Sequence, residues 1–123
     1  MKLEGAPRQR GLVIVNKAER LLLDLAPHID RIPKHQRYRF AIRLEDALWE
    51  LIQCLISAAV SGQKSKLYRA DEQVRYVHAL LRHAAENRSG GRPLLRGKRV
   101  GDASRQLSEI GAMLGAWRKR IAK

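Results

Sequence analysis

A chain of 123 residues with a single cysteine is long enough to bury one core without a disulfide or a structural metal, and too short for several domains. Hydrophobic residues make up 45% but aromatics only 5%, and glycine and proline are sparse; this leucine- and alanine-rich profile argues against a sheet protein, so the fold class is all-α. Lys and Arg total 25 against 12 acids, a formal charge of +13, which points away from cationic partners and toward a polyanion, nucleic acid before an anionic membrane surface.

Residues 1–14 hold Gly5, Pro7 and Gly11 among scattered charges and are predicted as a flexible basic N-terminal segment, with residues 15–123 forming the folded domain. The first helix, about 16–32, starts at Asn16, which with Glu19 has the spacing of a capping box. Its core stripe is Val15, Ala18, Leu22, Leu25, Ile29 and Ile32. Pro27 inside that stripe removes one backbone donor and predicts a kink, and Pro33 ends the segment.

The second helix, about 37–61, carries Ala41, Leu44, Leu48, Leu51, Leu55 and Ala58 at three-four spacing and is the central core element. A second apolar stripe, Trp49, Ile52, Ile56 and Val60, lies beside the first and exceeds what four helices of this size cover, so these four residues are predicted to be buried partly by a neighbouring subunit. Ser61-Gly62 stops the helix. A third helix, about 65–87, follows with Leu67, Ala70, Val74, Val77, Leu81 and Ala84 inward.

Arg88 to Gly101, rich in glycine and arginine, reads as a mobile basic loop, after which Asp102 caps a fourth helix, about 102–121. Its stripe is Ala103, Leu107, Ile110, Leu114, Trp117 and Ile121, and Gly111 with Gly115 is expected to allow a close helix crossing. Four amphipathic helices with mostly short connections predict an up-down-up-down antiparallel four-helix bundle.

Chemistry-bearing motifs are missing from this pattern. No two of His28, His35, His78 and His83 stand four apart as a helical metal pair would, and no phosphate-binding loop, paired-cysteine motif or nucleophile elbow occurs. Glu45, Asp46 and Glu50 are the only acidic cluster; a nuclease would need them as metal ligands, but Arg43 three residues from Asp46 makes a solvated, ion-paired face the simpler reading. Neither catalysis, nor a cofactor, nor a metal is expected. Leu12 to Val15 is too short for a signal-peptide core and charges break every candidate membrane span, so the expected location is cytoplasmic, with Cys54 a buried thiol in a reducing compartment.

Basic residues, in contrast, cluster. Lys34, Arg37, Arg39 and Arg43 lie between the first two helices, Lys64, Lys66 and Arg69 open the third, and Arg118, Lys119 and Arg120 close the fourth. Arginines outnumber lysines about two to one, which favours forked contacts to phosphate. These ten are the predicted nucleic-acid-binding positions. RNA, DNA and RNA/DNA hybrid should bind with little sequence preference, since no base-reading motif accompanies them.

Ile32-Pro33-Lys34 followed by Arg37-Tyr38 and Phe40, then Ser65-Lys66-Leu67-Tyr68 with Ala70-Asp71, and finally Ile110-Gly111, Leu114-Gly115 and Trp117, resemble the four-helix-bundle family of ribosomal intervening-sequence proteins. Within it the chain is most similar to the accessory variability determinant (Avd) group of diversity-generating retroelements. The resemblance spans about Val15 to Ile121. It implies a homopentameric, funnel-like barrel whose basic surface associates with the element's reverse transcriptase and template RNA, assisting mutagenic cDNA synthesis without a catalytic group. The alternative is an intervening-sequence-type bundle that binds structured RNA without a retroelement role.

Overall fold

The computed structural model describes residues 2–122. Met1, Lys123 and the side chains of residues 2–10, Arg88, Ser89, Ile121 and Ala122 lie outside the described residues, and with them the predicted core position Ile121. Four helices account for most of the chain: α1 (Lys2–Ile29), α2 (Ile42–Ser61), α3 (Lys64–Glu86) and α4 (Gly97–Ala122). Each packs on its neighbour in sequence and α1 packs on α4, which closes the bundle.

Cross-helix contacts fix the directions. Gln73 Nε2 donates to the Ala47 carbonyl at 3.0 Å while Arg69 approaches Glu50, so α2 and α3 run antiparallel. Lys17 approaches Glu109 and Gln106 donates to Asp24, so α1 and α4 also oppose each other. The bundle is therefore up-down-up-down, around a core led by Leu21, Leu44, Leu51, Leu55, Leu67, Leu81, Leu107 and Leu114. All six predicted stripe residues of the second helix are buried, five within α2 and Ala41 just before it, as are all six of α3.

The N-terminal expectation is corrected. The segment through residue 14 is not an unstructured lead-in, because α1 is helical from Lys2 and passes Asn16 without a start there. Gly11 misled the sequence reading: it stands where α1 crosses α2, and a Cβ added to it would lie 2.6 Å from the Ala59 Cβ. Its missing side chain serves a close helix contact and not chain flexibility. At the other end α1 stops at Ile29, and Arg31 and Ile32 close the turn through three-residue bonds to His28 and Ile29 before Pro33.

Between α1 and α2 the chain makes a 3-10 turn (Lys34–Gln36) and then a wide π-helical turn (Arg37–Ala41). The π turn aims Phe40 and Ala41 inward, with the Phe40 ring 5.3 Å from that of His83, and leaves Arg37, Tyr38 and Arg39 exposed. Gly62 stops α2 in the left-handed region at φ 66°, its N–H bonded to the Ala58 carbonyl at 2.8 Å.

A second correction concerns residues 88–101. Instead of a mobile loop, β1 (Arg88–Ser89) pairs antiparallel with β2 (Arg92–Pro93) around Gly90 and Gly91, both at positive φ, a two-residue hairpin turn. Leu94 and Leu95 are buried and their N–H groups both reach the Ala84 carbonyl, which anchors the hairpin to α3. Anchoring lets α4 begin at Gly97, so Asp102 is no cap; it sits inside the helix, 3.6 Å from Arg105.

The expected close crossing at Gly111 and Gly115 is also revised. A Cβ on Gly111 would only touch Val74 at 3.7 Å, and one on Gly115 would meet nothing within 4 Å. Gly115→Ala is therefore expected to stabilise the fold by up to about 1 kcal/mol through helix propensity. Gly11→Ala should cost about 1–3 kcal/mol, because the Ala59 backbone must shift. Urea unfolding midpoints of the two variants check both signs.

Candidate nucleic-acid interface

Antiparallel topology gathers the basic residues at the two ends of the bundle, separated by the length of α2, about 30 Å for its 20 residues. At one end the turns before α2 expose Lys34, Arg37 and Arg39, and the first turn of α2 exposes Arg43. Among the described residues none of these four forms an ion pair. Tyr38, 83% exposed, stands between two of them. Acids lie near: Arg37 shares a shallow depression with Asp30 and Glu45, and Arg43 shares one with Asp46 and Glu50.

At the other end the start of α3 meets the end of α4. Lys64 Nζ is 5.8 Å and the Arg118 guanidinium 5.0 Å from the centre of the Tyr68 ring, so two cations flank one aromatic face system. Asp71 holds this arrangement in place, accepting from Arg75 at 3.2 Å and drawing Arg118 to 3.9 Å. Arg69 is 3.9 Å from Glu50, whose other neighbour is the Cys54 thiol at 3.6 Å. Burial, and then the Glu50 carboxylate, push the Cys54 thiol up from its ordinary value. Lys66, Lys119 and Arg120 have no ion-pair partner among the described residues.

Glu45, Asp46 and Glu50 do not gather, and no group of three potential metal ligands occurs among the described residues. Among the described residues no helix is long and apolar enough to cross a membrane.

The topology also assembles a basic site that no single stretch of sequence discloses. Arg31 from the turn after α1, Arg92 from the hairpin, Arg96 just before α4 and Arg99 in its first turn line one cavity of about 350 Å3, with His28 on its wall. The available signal was positional: the basic runs 31–43 and 88–99 fall at the same end of an antiparallel bundle. Burial first, then Arg99, Arg31 and Arg96, hold His28 below its ordinary value. Burial and Arg82 do the same to His78.

Both histidines bind protons more readily when the chain is unfolded. Stability is thus expected to be full above about pH 6.5 and to fall as the pH drops through that value toward the lowered folded values. Urea midpoints at neutral and mildly acidic pH, compared with those of His78→Gln, check the direction.

The main exposed apolar stripe of the chain follows α2. Trp49 is 55%, Ile56 45% and Val60 84% exposed, and Ile42 extends the same stripe. Ile52 does not belong to it. At about 100° per residue it lies about 60° back from Trp49 toward the core stripe, and the chain's own helices bury it to 5% exposure. Leu12 and Leu23 are also exposed, on the flank of α1 away from Lys17 and Asp24, which face α4.

Fold and surface together define a strongly basic, antiparallel four-helix-bundle protein with charge concentrated at both ends. The chain belongs to the bAvd-like family, whose sequence model matches residues 12–121. That span covers nearly the whole bundle and agrees with the resemblance to the accessory variability determinant group. No curated protein matches the chain.

Proposed function

We propose that this chain is a non-catalytic accessory protein that binds nucleic acid and a reverse transcriptase, supporting mutagenic cDNA synthesis in a diversity-generating retroelement. Membership of the bAvd-like family carries the reading, since it suggests association with a retroelement reverse transcriptase. The surface supports it physically: Lys34, Arg37, Arg39, Arg43, Lys66, Lys119 and Arg120 present cations unpaired among the described residues, suited to the phosphates of template RNA and of RNA/DNA hybrid.

Self-association belongs to the same proposal. Trp49, Ile56 and Val60 form an exposed apolar stripe on a helix whose opposite side is core, and a second subunit would remove it from water. A homopentamer in the cytoplasm is the assembly and place that the Avd resemblance favours. A ring would repeat each basic cluster once per subunit, so contacts weak alone would act at high effective concentration on one polyanion. Size-exclusion co-elution with the element's reverse transcriptase and template RNA tests the reading. A three-component complex is expected; separate elution of the chain from both partners would contradict it.

A further inference from the structure

We propose that the cavity formed by Arg31, Arg92, Arg96 and Arg99 is a binding site for a triphosphate group. Four arginines line it, no acidic residue does, and none of the four is ion-paired among the described residues. The first turn of α4 has no acidic residue, so the positive end of the helix dipole adds to this potential. A solubilising surface intersperses charges of both signs. Four like charges in one concave wall repel one another, and a dense anion relieves that repulsion.

Charge count and size select the ligand. A triphosphate carries about four negative charges at neutral pH, the terminal phosphoryl group contributing nearly two, and the cavity of about 350 Å3 lies in the range of ligand pockets. A nucleic-acid backbone instead spreads single charges along the strand, matching the extended basic surface around Lys34 to Arg43 better than four arginines around one concave depression. Guanidinium forks pair with phosphoryl oxygens two at a time.

The arginines are also held in advance. Arg92 pairs with Ser89 in the hairpin, and the N–H groups of Leu94 and Leu95 are bonded to the Ala84 carbonyl directly before Arg96. Their backbone therefore loses little freedom on binding. Either a free nucleoside triphosphate or the 5′-triphosphate end of an RNA would supply this chemistry. The site does not depend on the nucleic-acid reading above.

Calorimetric titration of the full chain with inorganic tripolyphosphate, and with inorganic phosphate, at about 150 mM salt tests it. Tripolyphosphate is expected to bind at least about tenfold tighter than phosphate. Arg96→Ala with Arg99→Ala should lose about tenfold or more, Arg31→Ala with Arg92→Ala a similar factor, and Arg20→Ala, outside the cavity, less than about twofold. Two further arms separate the sources. If ATP matches tripolyphosphate while 5′-triphosphate and 5′-hydroxyl RNA bind alike, the ligand is a free nucleotide. If the 5′-triphosphate RNA binds tighter and the Arg96→Ala, Arg99→Ala variant erases the difference, it is an RNA end. Tripolyphosphate binding no tighter than phosphate, or unchanged in both double variants with helical circular dichroism intact, overturns the proposal. Inorganic tripolyphosphate contains no nucleic acid, so this result and the RNA-binding result can fail independently.

Discussion

Affinity for RNA, DNA or their hybrid is expected to fall by about a thousandfold between about 50 and 200 mM salt, because a surface engaging six or more phosphates releases as many counterions. Arg37→Glu, Arg39→Glu and Arg43→Glu combined should lower the slope of log affinity against log salt by about 2.7 and weaken binding by one to two orders of magnitude. All three side chains are exposed and unpaired among the described residues, so the bundle should keep its helical content. The loss should be alike for unrelated sequences, since phosphate contacts position a partner without reading bases. Filter binding or fluorescence anisotropy across a salt series measures both effects. A flat salt series, or a loss confined to one sequence, would contradict them.

Trp49→Glu is expected to turn an assembled protein into monomers without unfolding the subunit. Trp49 is more than half exposed in the isolated chain, so the substitution leaves the core untouched, whereas at a subunit interface it would bury an unpaired carboxylate. That costs about 3 kcal/mol or more, at least two orders of magnitude in association. Val60→Glu, still more exposed in the subunit, should behave alike. Light scattering at micromolar concentration is the measurement. Stable monomers of the unmodified protein would remove the basis for the ring.

Much of this architecture was legible because the helix period and the core coincide. Leu44, Leu48, Leu51 and Leu55 in α2 and Leu67, Ala70, Val74, Val77 and Leu81 in α3 repeat at three-four spacing, and each is buried where that spacing places it. Gly62 stopped α2 for the expected reason, a left-handed backbone that glycine adopts without strain. Gly11 was illegible because a glycine at a helix crossing and a glycine in a flexible segment look the same until the partner, Ala59, is in place.

The start of α4 was hidden by Leu94-Leu95, a pair too short to show a period, whose burial depends on α3 passing beneath it. Ile52 lies at the boundary between two stripes, where the bundle decides which way it faces. Among the basic residues, sequence clustering found the exposed runs. The arginine cavity was missed as a site because its members come from three elements and meet only through the antiparallel topology.

Template-primed cDNA synthesis by the element's reverse transcriptase, with the unmodified protein, Trp49→Glu or Arg69→Ala added, tests the scaffold role most directly. Arg69 is already partly neutralised by Glu50 at 3.9 Å, so its loss should reduce synthesis by less than about twofold. Under the proposed scaffold role Trp49→Glu should abolish the stimulation, because single subunits would lose the multiplied charge that would hold template and enzyme together. Synthesis supported equally well by the monomeric variant would contradict the account.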